Sequence, residues 1–394
     1  MKIIFVVSNL NNGGMEKALV NFVNDLSRMH DITICILGRG NQMNSQLKEN
    51  INIISQPKYL DTLLKIMSTH KSDLKKNSKI HYIFKGAVRY LSKIGLEKVI
   101  YRILLFRIKK IKGFDVAVSY TGMPGIWDYF VLNKVKTNKK LAWIHNNPEV
   151  LGINTRNCFK LYNKFDAIIS VSKDCKNRFE KLEPRLINKS YLIYNLININ
   201  EIIEKSLEFN PFGINNKKNI VTVARIDNSQ KRFDRIIECA KLLVQENILD
   251  FKWYIVGSGK DKTWLQNEII KNKLNLFIEL VGYKENPYPY LANADMLVLT
   301  SDYEGLPVTI MEALVLHVPI ICTNFNCAGE AIVDKKEGII VDKSGKAVFE
   351  AVKELLVDYT QYMNIKNNVN NYQFKNSNSI SEFNNIIKKE KNEK

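Results

Sequence analysis

Cysteine is sparse in this 394-residue sequence and never paired. The six residues (Cys35, Cys158, Cys175, Cys239, Cys322 and Cys327) form no C-x-x-C pair and no Cys/His cluster at metal-ligand spacing. A disulfide framework and a structural zinc site are thereby set aside, and the thiols read as reduced packing residues of a cytosolic protein. No apolar run approaches the roughly 18 residues of a membrane-spanning helix. The opening MKIIFVVSNL has too short an apolar run for a signal-peptide core and reads as a buried first strand. The dinucleotide fingerprint G-x-G-x-x-G is missing, which lowers the odds of a dehydrogenase. No D-x-D pair occurs, so a metal held between such carboxylates is not expected. Internal repeats at a fixed short period and low-complexity segments are absent as well.

What is present suffices for two ordinary domains, with 45% hydrophobic residues to fill two cores. The formal charge of +18 is unevenly spread. Between Lys58 and Lys112 stand 15 lysines and arginines against three acids (Asp61, Asp73 and Glu97), so this stretch alone carries a net +12. Lys85, Arg89 and Lys93 fall at i, i+4, i+8, with Lys98 and Arg102 beyond. Val88, Leu91, Val99, Ile100, Ile103, Leu104 and Phe106 supply an apolar complement. The pattern fits a basic amphipathic helix, or two, meeting an anionic lipid surface, and fits equally a solvated basic face on helices packed against their own sheet.

Short β-branched runs alternate with helical patterns along both halves. The first half offers strands at Ile3–Val7, Ile32–Leu37, Val116–Ser119, Leu141–Ile144 and Ala167–Val171. The second offers Ile220–Ala224, Lys252–Val256, Ile278–Val281, Met296–Leu299, Pro319–Cys322 and Gly338–Val341. Strands buried on both faces and separated by helices predict an α/β protein with two doubly wound parallel sheets. Residues 1–195 form the first domain of this reading, 196–218 a polar linker, 219–370 the second domain, and 371–394 a last helix and basic tail. The default binding site is a cleft between the two domains.

Ligands of such sheets bind beyond the carboxyl ends of the strands, so the residues there carry the functional reading. After the first strand, Gly13 and Gly14 precede an amphipathic helix starting near Met15. Glycine permits close approach of a ligand and a helix N-terminus favours an anion, although a tight strand-to-helix turn explains a glycine pair equally well. After the first strand of the second half comes VARIDNSQKRFDRIIE, where Arg225 and Lys231 could converge on one diphosphate or be ordinary surface cations. The most informative segment is ANADMLVLTSDYEGLPVTIMEALVLHVP. A buried strand runs into Glu304, Gly305, Leu306 and Pro307, and Glu312 follows on the next helix. Two carboxylates so placed can reach a sugar ring and a ribose while helix N–H groups take phosphates.

Together these pieces resemble the large retaining glycosyltransferase family usually numbered four, of the GT-B fold. The matching segments are GGMEK at 13–17, WIHNN at 143–147, SVSK at 170–173, VARIDNSQKRFD at 223–234, VGSG at 256–259, the stretch 281–314, and GE at 329–330, in family order across nearly the whole chain. The resemblance implies two Rossmann-like domains facing a central cleft, the first binding the acceptor and the second the nucleotide sugar. It further implies that Glu304 contacts the transferred sugar, Glu312 the ribose, and Arg225 and Lys231 the departing diphosphate. His145 would face the sugar near the reacting carbon, and Tyr283 would lie beside the base. Read without the family, His145 beside Trp143 is a packed core residue. GGME stands where GGAE is usual, and Met15 is tolerable on a helix.

The expected donor is a nucleotide-diphosphate sugar, with a UDP-sugar the first choice and no cofactor or metal. The expected acceptor is a saccharide, lipid-linked by first choice, in surface or capsular polysaccharide synthesis, with the protein cytoplasmic and peripheral to a membrane. Two rival readings are a basic nucleic-acid-binding or non-enzymatic protein, disfavoured by the lack of interleaved aromatics, and a GT-B sugar-nucleotide epimerase or phosphorylase.

Overall fold

A computed structural model describes residues 1–11, 13–38, 40–55, 97–122, 124–153, 156–213 and 216–389. The chain divides into two compact units. The first comprises Met1–Val171, Cys175–Tyr194 and Asn378–Lys394, and the second Ser172–Asp174 with Asn195–Ser377.

The first unit holds a seven-stranded sheet: β1 (Lys2–Val7), β2 (Asp31–Ile36), β3 (Asn52–Ser55), β4 (Val116–Ser119), β5 (Lys139–Ile144), β6 (Ala167–Ser170) and β7 (Ser190–Leu192), ordered β3-β2-β1-β4-β5-β6-β7. Every recorded pairing is parallel. Residues 3–7 of β1 are fully buried, because helices cover both faces of a sheet wound in both directions. The helix Gly14–Leu26 turns Leu19, Val20, Phe22, Val23 and Leu26 onto the sheet at helical spacing. Phe22 meets Trp143 edge-on at 5.1 Å. Phe383, from the helix Ser379–Lys388, stacks on Phe5 at 6.1 Å and meets Phe22 at 5.3 Å. The last helix is therefore part of the first unit. Its carboxyl end is capped by Lys139, whose ammonium donates to the carbonyls of Ile386, Ile387 and Lys389.

The second unit holds β8 (Lys218–Val223), β9 (Phe251–Val256), β10 (Ile278–Gly282), β11 (Met296–Leu299), β12 (Ile320–Thr323) and β13 (Gly338–Val341), ordered β10-β9-β8-β11-β12-β13, also parallel. The order is that of the first sheet without its last strand. A buried polar chain ties three strands together: Trp253 Nε1 donates to Thr222 Oγ1 at 3.0 Å, and that hydroxyl donates to the Val298 carbonyl at 2.8 Å. Both buried groups are thus paired, as an apolar core demands. Ser344 caps the helix Gly345–Val357 by accepting the Ala347 N–H at 3.1 Å, and that helix packs Val348, Phe349, Val352 and Leu355 into the core.

All eleven strands expected from the sequence are present, with ends shifted by a residue or two, and β3 and β7 are additional. The stretch 196–218 is not a bare linker, since Ile199–Ser206 is a helix capped by Asn198. Of the basic segment, Lys85, Arg89 and Lys93 lie outside the described residues. Lys98 and Arg102 fall on the helix Glu97–Leu105, where only Arg102's side chain is described. The apolar complement divides: Ile100 and Leu104 are buried, whereas Val99, Ile103 and Phe106 are exposed. Among the described residues no helix is long and apolar enough to cross a membrane.

Candidate active site

In each sheet the strand order reverses once, between β1 and β4 and between β8 and β11. Loops leaving such a pair of strands diverge to opposite faces and open a crevice at the carboxyl ends, which is where ligands of this architecture bind.

In the second unit the reversal is built from charge. The loop after β8 passes Arg225 and enters the short helix Asn228–Lys231, and the loop after β11 carries Ser301, Asp302 and Glu304. Lys231 Nζ lies 2.5 Å from Glu304 Oε1, and both side chains are largely buried. Ser301 Oγ donates to the same oxygen at 2.6 Å, and Gln230 Nε2 approaches the other at 3.5 Å. Gln230 also accepts from the Arg225 guanidinium at 3.2 Å, so the order Arg225–Gln230–Glu304–Lys231 is one connected chain. Arg225 itself remains 65% exposed and pairs with Asp227 at 3.6 Å.

This arrangement is held from behind. Arg232 adopts a left-handed conformation (φ 53°) between the short helix and Phe233–Gln245. That turn costs a non-glycine residue about 1–2 kcal/mol. The opposing gain is a set of ion pairs: Arg232 to Asp234 at 2.7 Å and to Asp302 at 3.0 Å, and Arg235 to Asp302 at 2.6 Å. Burial alone would raise the Asp302 pKa, but hydrogen bonds from the two guanidinium groups outweigh it and leave the value below the usual range. Thr300 Oγ1 donates to the Lys231 carbonyl at 2.7 Å, fastening one loop to the other. Gly257 and Gly259 belong to the same construction, since a Cβ on either would run into the carbonyl oxygens of Ala224 and Ile226.

Glu304 is also clamped through its backbone. Its N–H donates to Asn326 Oδ1 at 3.1 Å, and Asn326 Nδ2 donates to its carbonyl at 2.8 Å. Gly305 and Leu306 follow, with the Leu306 carbonyl accepting from Asn195 at 3.3 Å, and Pro307 leads into the helix Val308–Val315. Glu312 lies inside that helix, 3% exposed, and accepts the Tyr288 hydroxyl at 3.2 Å. Burial and the nearby Glu312 charge both push the Tyr288 pKa upward, so the phenol stays a donor. Tyr283 follows β10 and is 46% exposed.

The structure thus joins Arg225, Lys231 and Glu304 in one network, with Glu312 on the helix that begins just after Glu304. His145, Gly13 and Gly14 belong to the first unit and are assembled around the other reversal. There the Glu16 carboxylate folds back over Gly13, to where a Cβ would sit. His145 contacts the Tyr120 ring at 4.1 Å and lies parallel to Trp143 at 6.1 Å. Its Nε2 has no hydrogen-bond partner among the described residues. Burial holds its pKa down to about 3, so the ring is neutral.

Ser301, Gln230, Asn326 and Tyr288 were not singled out in the sequence. Ser301 stands two residues past a buried strand and Asn326 three past another, and the strand-end rule would have marked both. Gln230 and Tyr288 carry no such signal. Among the described residues no cluster of three or more His, Cys, Asp or Glu is placed to hold a metal.

The family called glycosyl transferases group 1 matches residues 204–372, inside the second unit. Those residues form a group 1 glycosyl transferase domain. A Campylobacter jejuni N-acetylgalactosaminyltransferase acting on N-acetylgalactosamine-N,N'-diacetylbacillosaminyl-diphospho-undecaprenol is 28% identical over 56% of this chain and 59% of its own. A second C. jejuni enzyme, an α-1,4-N-acetyl-D-galactosaminyltransferase named for a PP-undecaprenol saccharide, is 24% identical over 91% of this chain and 89% of its own. With several curated relatives, including the first of these two, the match spans only 50–62% of the relative's length. Among solved structures, Anabaena HepE bound to UDP-glucose superposes with TM-score 0.67 at 15% identity, covering 94% of this chain and 93% of HepE. Staphylococcus aureus TarM gives TM-score 0.66 at 14% identity over 99% and 100% of the two chains. The fold is GT-B.

Proposed function

We propose that this protein transfers a hexose or N-acetylhexosamine from a nucleotide-diphosphate sugar, a UDP-sugar first of all, to a saccharide acceptor with retention of anomeric configuration. The observation that carries the reading is the buried Lys231–Glu304 pair at the reversal of the second sheet. An ammonium has three N–H donors, and one is spent on Glu304. The others can take diphosphate oxygens as the bond to the sugar breaks and negative charge gathers on the leaving group. Arg225 adds a second cation from the more exposed side, and the N–H groups near Gly305 and Leu306 add dipoles. Glu304, fixed by three donors, stands where positive character develops on the sugar ring. Glu312 takes the ribose, the Tyr283 backbone lies beside the base, and Gly13, Gly14 and the neutral His145 serve the donor from the first unit. No metal ion is invoked in this step.

The acceptor is proposed to be lipid-linked, in the assembly of a surface polysaccharide on the cytoplasmic side of a membrane. Support comes from the undecaprenol-linked substrates in the names of the C. jejuni relatives and from the net +12 of residues 58–112. Basic residues contribute about 1 kcal/mol each near an anionic surface, so four or five engaged side chains hold a protein there. The reading is tested by incubating the protein with a panel of UDP-sugars and a lipid-linked saccharide, then determining the product linkage by NMR. An α-linked product from an α-configured donor is expected. A β-linked product, or no transfer from any nucleotide sugar, contradicts it.

A further inference from the structure

The helix Glu97–Leu105 and the turn after it bury only part of their apolar surface. Ile100, Leu104 and Leu105 face inward at 6%, 7% and 0% exposure, while Val99, Ile103 and Phe106 stand 49%, 68% and 80% exposed. The outward three are spaced i, i+4, i+7, so they form one stripe along the outside of the helix. Arg102 lies in that stripe, and Arg107, Lys109, Lys110 and Lys112 follow it, all exposed. From residue 98 to residue 114 there is no acid. The element is anchored from beneath: Tyr101 packs on Tyr129 at 5.9 Å, and Lys134 Nζ donates to the carbonyls of Ile108 at 2.8 Å and Phe106 at 3.5 Å.

Scattered exposed apolar residues are ordinary, but three on one stripe, collared by five cations on an anchored element, form a patch. Among the described residues nothing covers it. The collar decides between occupants. A second copy docked about a twofold axis would set the same five cations against themselves. A nucleic acid would satisfy the cations and leave Val99, Ile103 and Phe106 in water. An anionic bilayer accepts both, with headgroups for the guanidinium and ammonium groups and acyl chains for the apolar stripe.

We infer that this stripe is a membrane wedge: Phe106, Ile103 and Val99 enter the acyl boundary of an anionic bilayer while Arg102, Arg107, Lys109, Lys110 and Lys112 lie among its headgroups. The inference deepens the proposed membrane-side acceptor and gives the contact an apolar component that salt does not remove. It is independent of the donor site.

The test uses the full chain and vesicles of phosphatidylglycerol with phosphatidylcholine, against phosphatidylcholine alone, at low and high salt. Phe106→Ser should lower partitioning about tenfold, the scale of one buried aromatic side chain, at both salt concentrations. Changing Arg107, Lys109, Lys110 and Lys112 to Gln should abolish only the salt-sensitive part. Phe106→Trp should show blue-shifted emission, relative to the parent, when anionic vesicles are added. Nucleotide affinity by calorimetry should be the same in all variants, separating this surface from the donor site. Wild-type pelleting with no loss in Phe106→Ser and no shift in Phe106→Trp overturns the wedge while leaving the membrane reading intact. No pelleting with anionic vesicles overturns both, and displacement by an oligonucleotide without a spectral shift assigns the collar to nucleic acid instead.

Discussion

At the reversal of the first sheet, between β1 and β4, stand glycine, aromatic rings and a neutral His145. At the reversal of the second, between β8 and β11, Lys231, Glu304, Arg225, Asp227, Arg232, Arg235 and Asp302 interlock across two loops and the helices that follow β8. One topology has been equipped in two ways. A parallel sheet supplies a crevice wherever its order reverses and says nothing about the chemistry there. In the first unit the aromatic groups exclude water and hold the histidine uncharged. In the second, each charge has a partner, and the cost of burying it is met by geometry. A leaving diphosphate needs the second kind of environment.

Breaking the charged reversal should have the largest effect. Lys231→Ala and Arg225→Ala should each cost about 2–4 kcal/mol in transition-state stabilisation, read from kcat/KM. Lys231 belongs at the upper end because it is buried against Glu304, whereas Arg225 is 65% exposed and partly solvent-screened. The double variant should lose less than the sum if both cations act on one diphosphate, as proposed. Equal, fully additive losses would separate the two residues into different sites.

Glu312→Ala should come next, with weaker affinity for the free nucleotide as well as a lower rate. Calorimetry returning wild-type affinity would remove the ribose role. Its Tyr288 partner offers a control, because Tyr288→Phe deletes only the 3.2 Å hydrogen bond and should produce a smaller change of the same kind.

The first reversal is broken more gently, through pH. Burial raises the Asp128 carboxyl to about 7, opposed by the Gly125 N–H that donates to it at 3.1 Å, while burial lowers His145 to about 3. For Asp128 the folded value lies above the ordinary 3.8, so its contribution is full below that pH and lost as pH rises toward 7. For His145 the folded value lies below the ordinary 6.5, so its contribution is full above that pH and lost as pH falls toward 3. Between pH 4 and 6.5 the two slopes oppose. Asp128→Asn should therefore leave thermal stability rising with pH across this window, and His145→Gln should leave it falling. Parallel slopes in the two variants would mean that neither group is buried as described. Smallest of all, EDTA should leave transfer unchanged within error, and a strict divalent-ion requirement would contradict the metal-free step.

The contrast between regions extends to what could be read without coordinates. Central strands such as β4 and β11 are buried at every residue and announce themselves as short apolar runs. The two unforeseen strands, β3 and β7, are the edges of the first sheet. Asn52–Ser55 buries none of its four residues fully and Ser190–Leu192 is only three long, so neither carries a core pattern. The same holds at the site. Glu304 and Arg225 stand out as charges just past strand ends, and Lys231 and Glu312 through the family motifs they sit in. Ser301 and Asn326 stand just past buried strands and the strand-end rule reaches them, whereas Gln230 gains its meaning only when the loops from β8 and β11 meet, an approach that no spacing along the chain encodes. The outward turn of Phe106 was likewise invisible, because helical periodicity gives a stripe without saying which side packs on the protein.

The central claim is that Glu304 acts on the reacting sugar and that the nucleotide is held by its neighbours. Its most direct test is Glu304→Gln, with nucleotide affinity measured by calorimetry beside sugar transfer measured under saturating donor. The account predicts loss of nearly all transfer with affinity within a few-fold of wild type. Wild-type turnover in this variant, or a collapse of nucleotide affinity equal to the loss of rate, would contradict it.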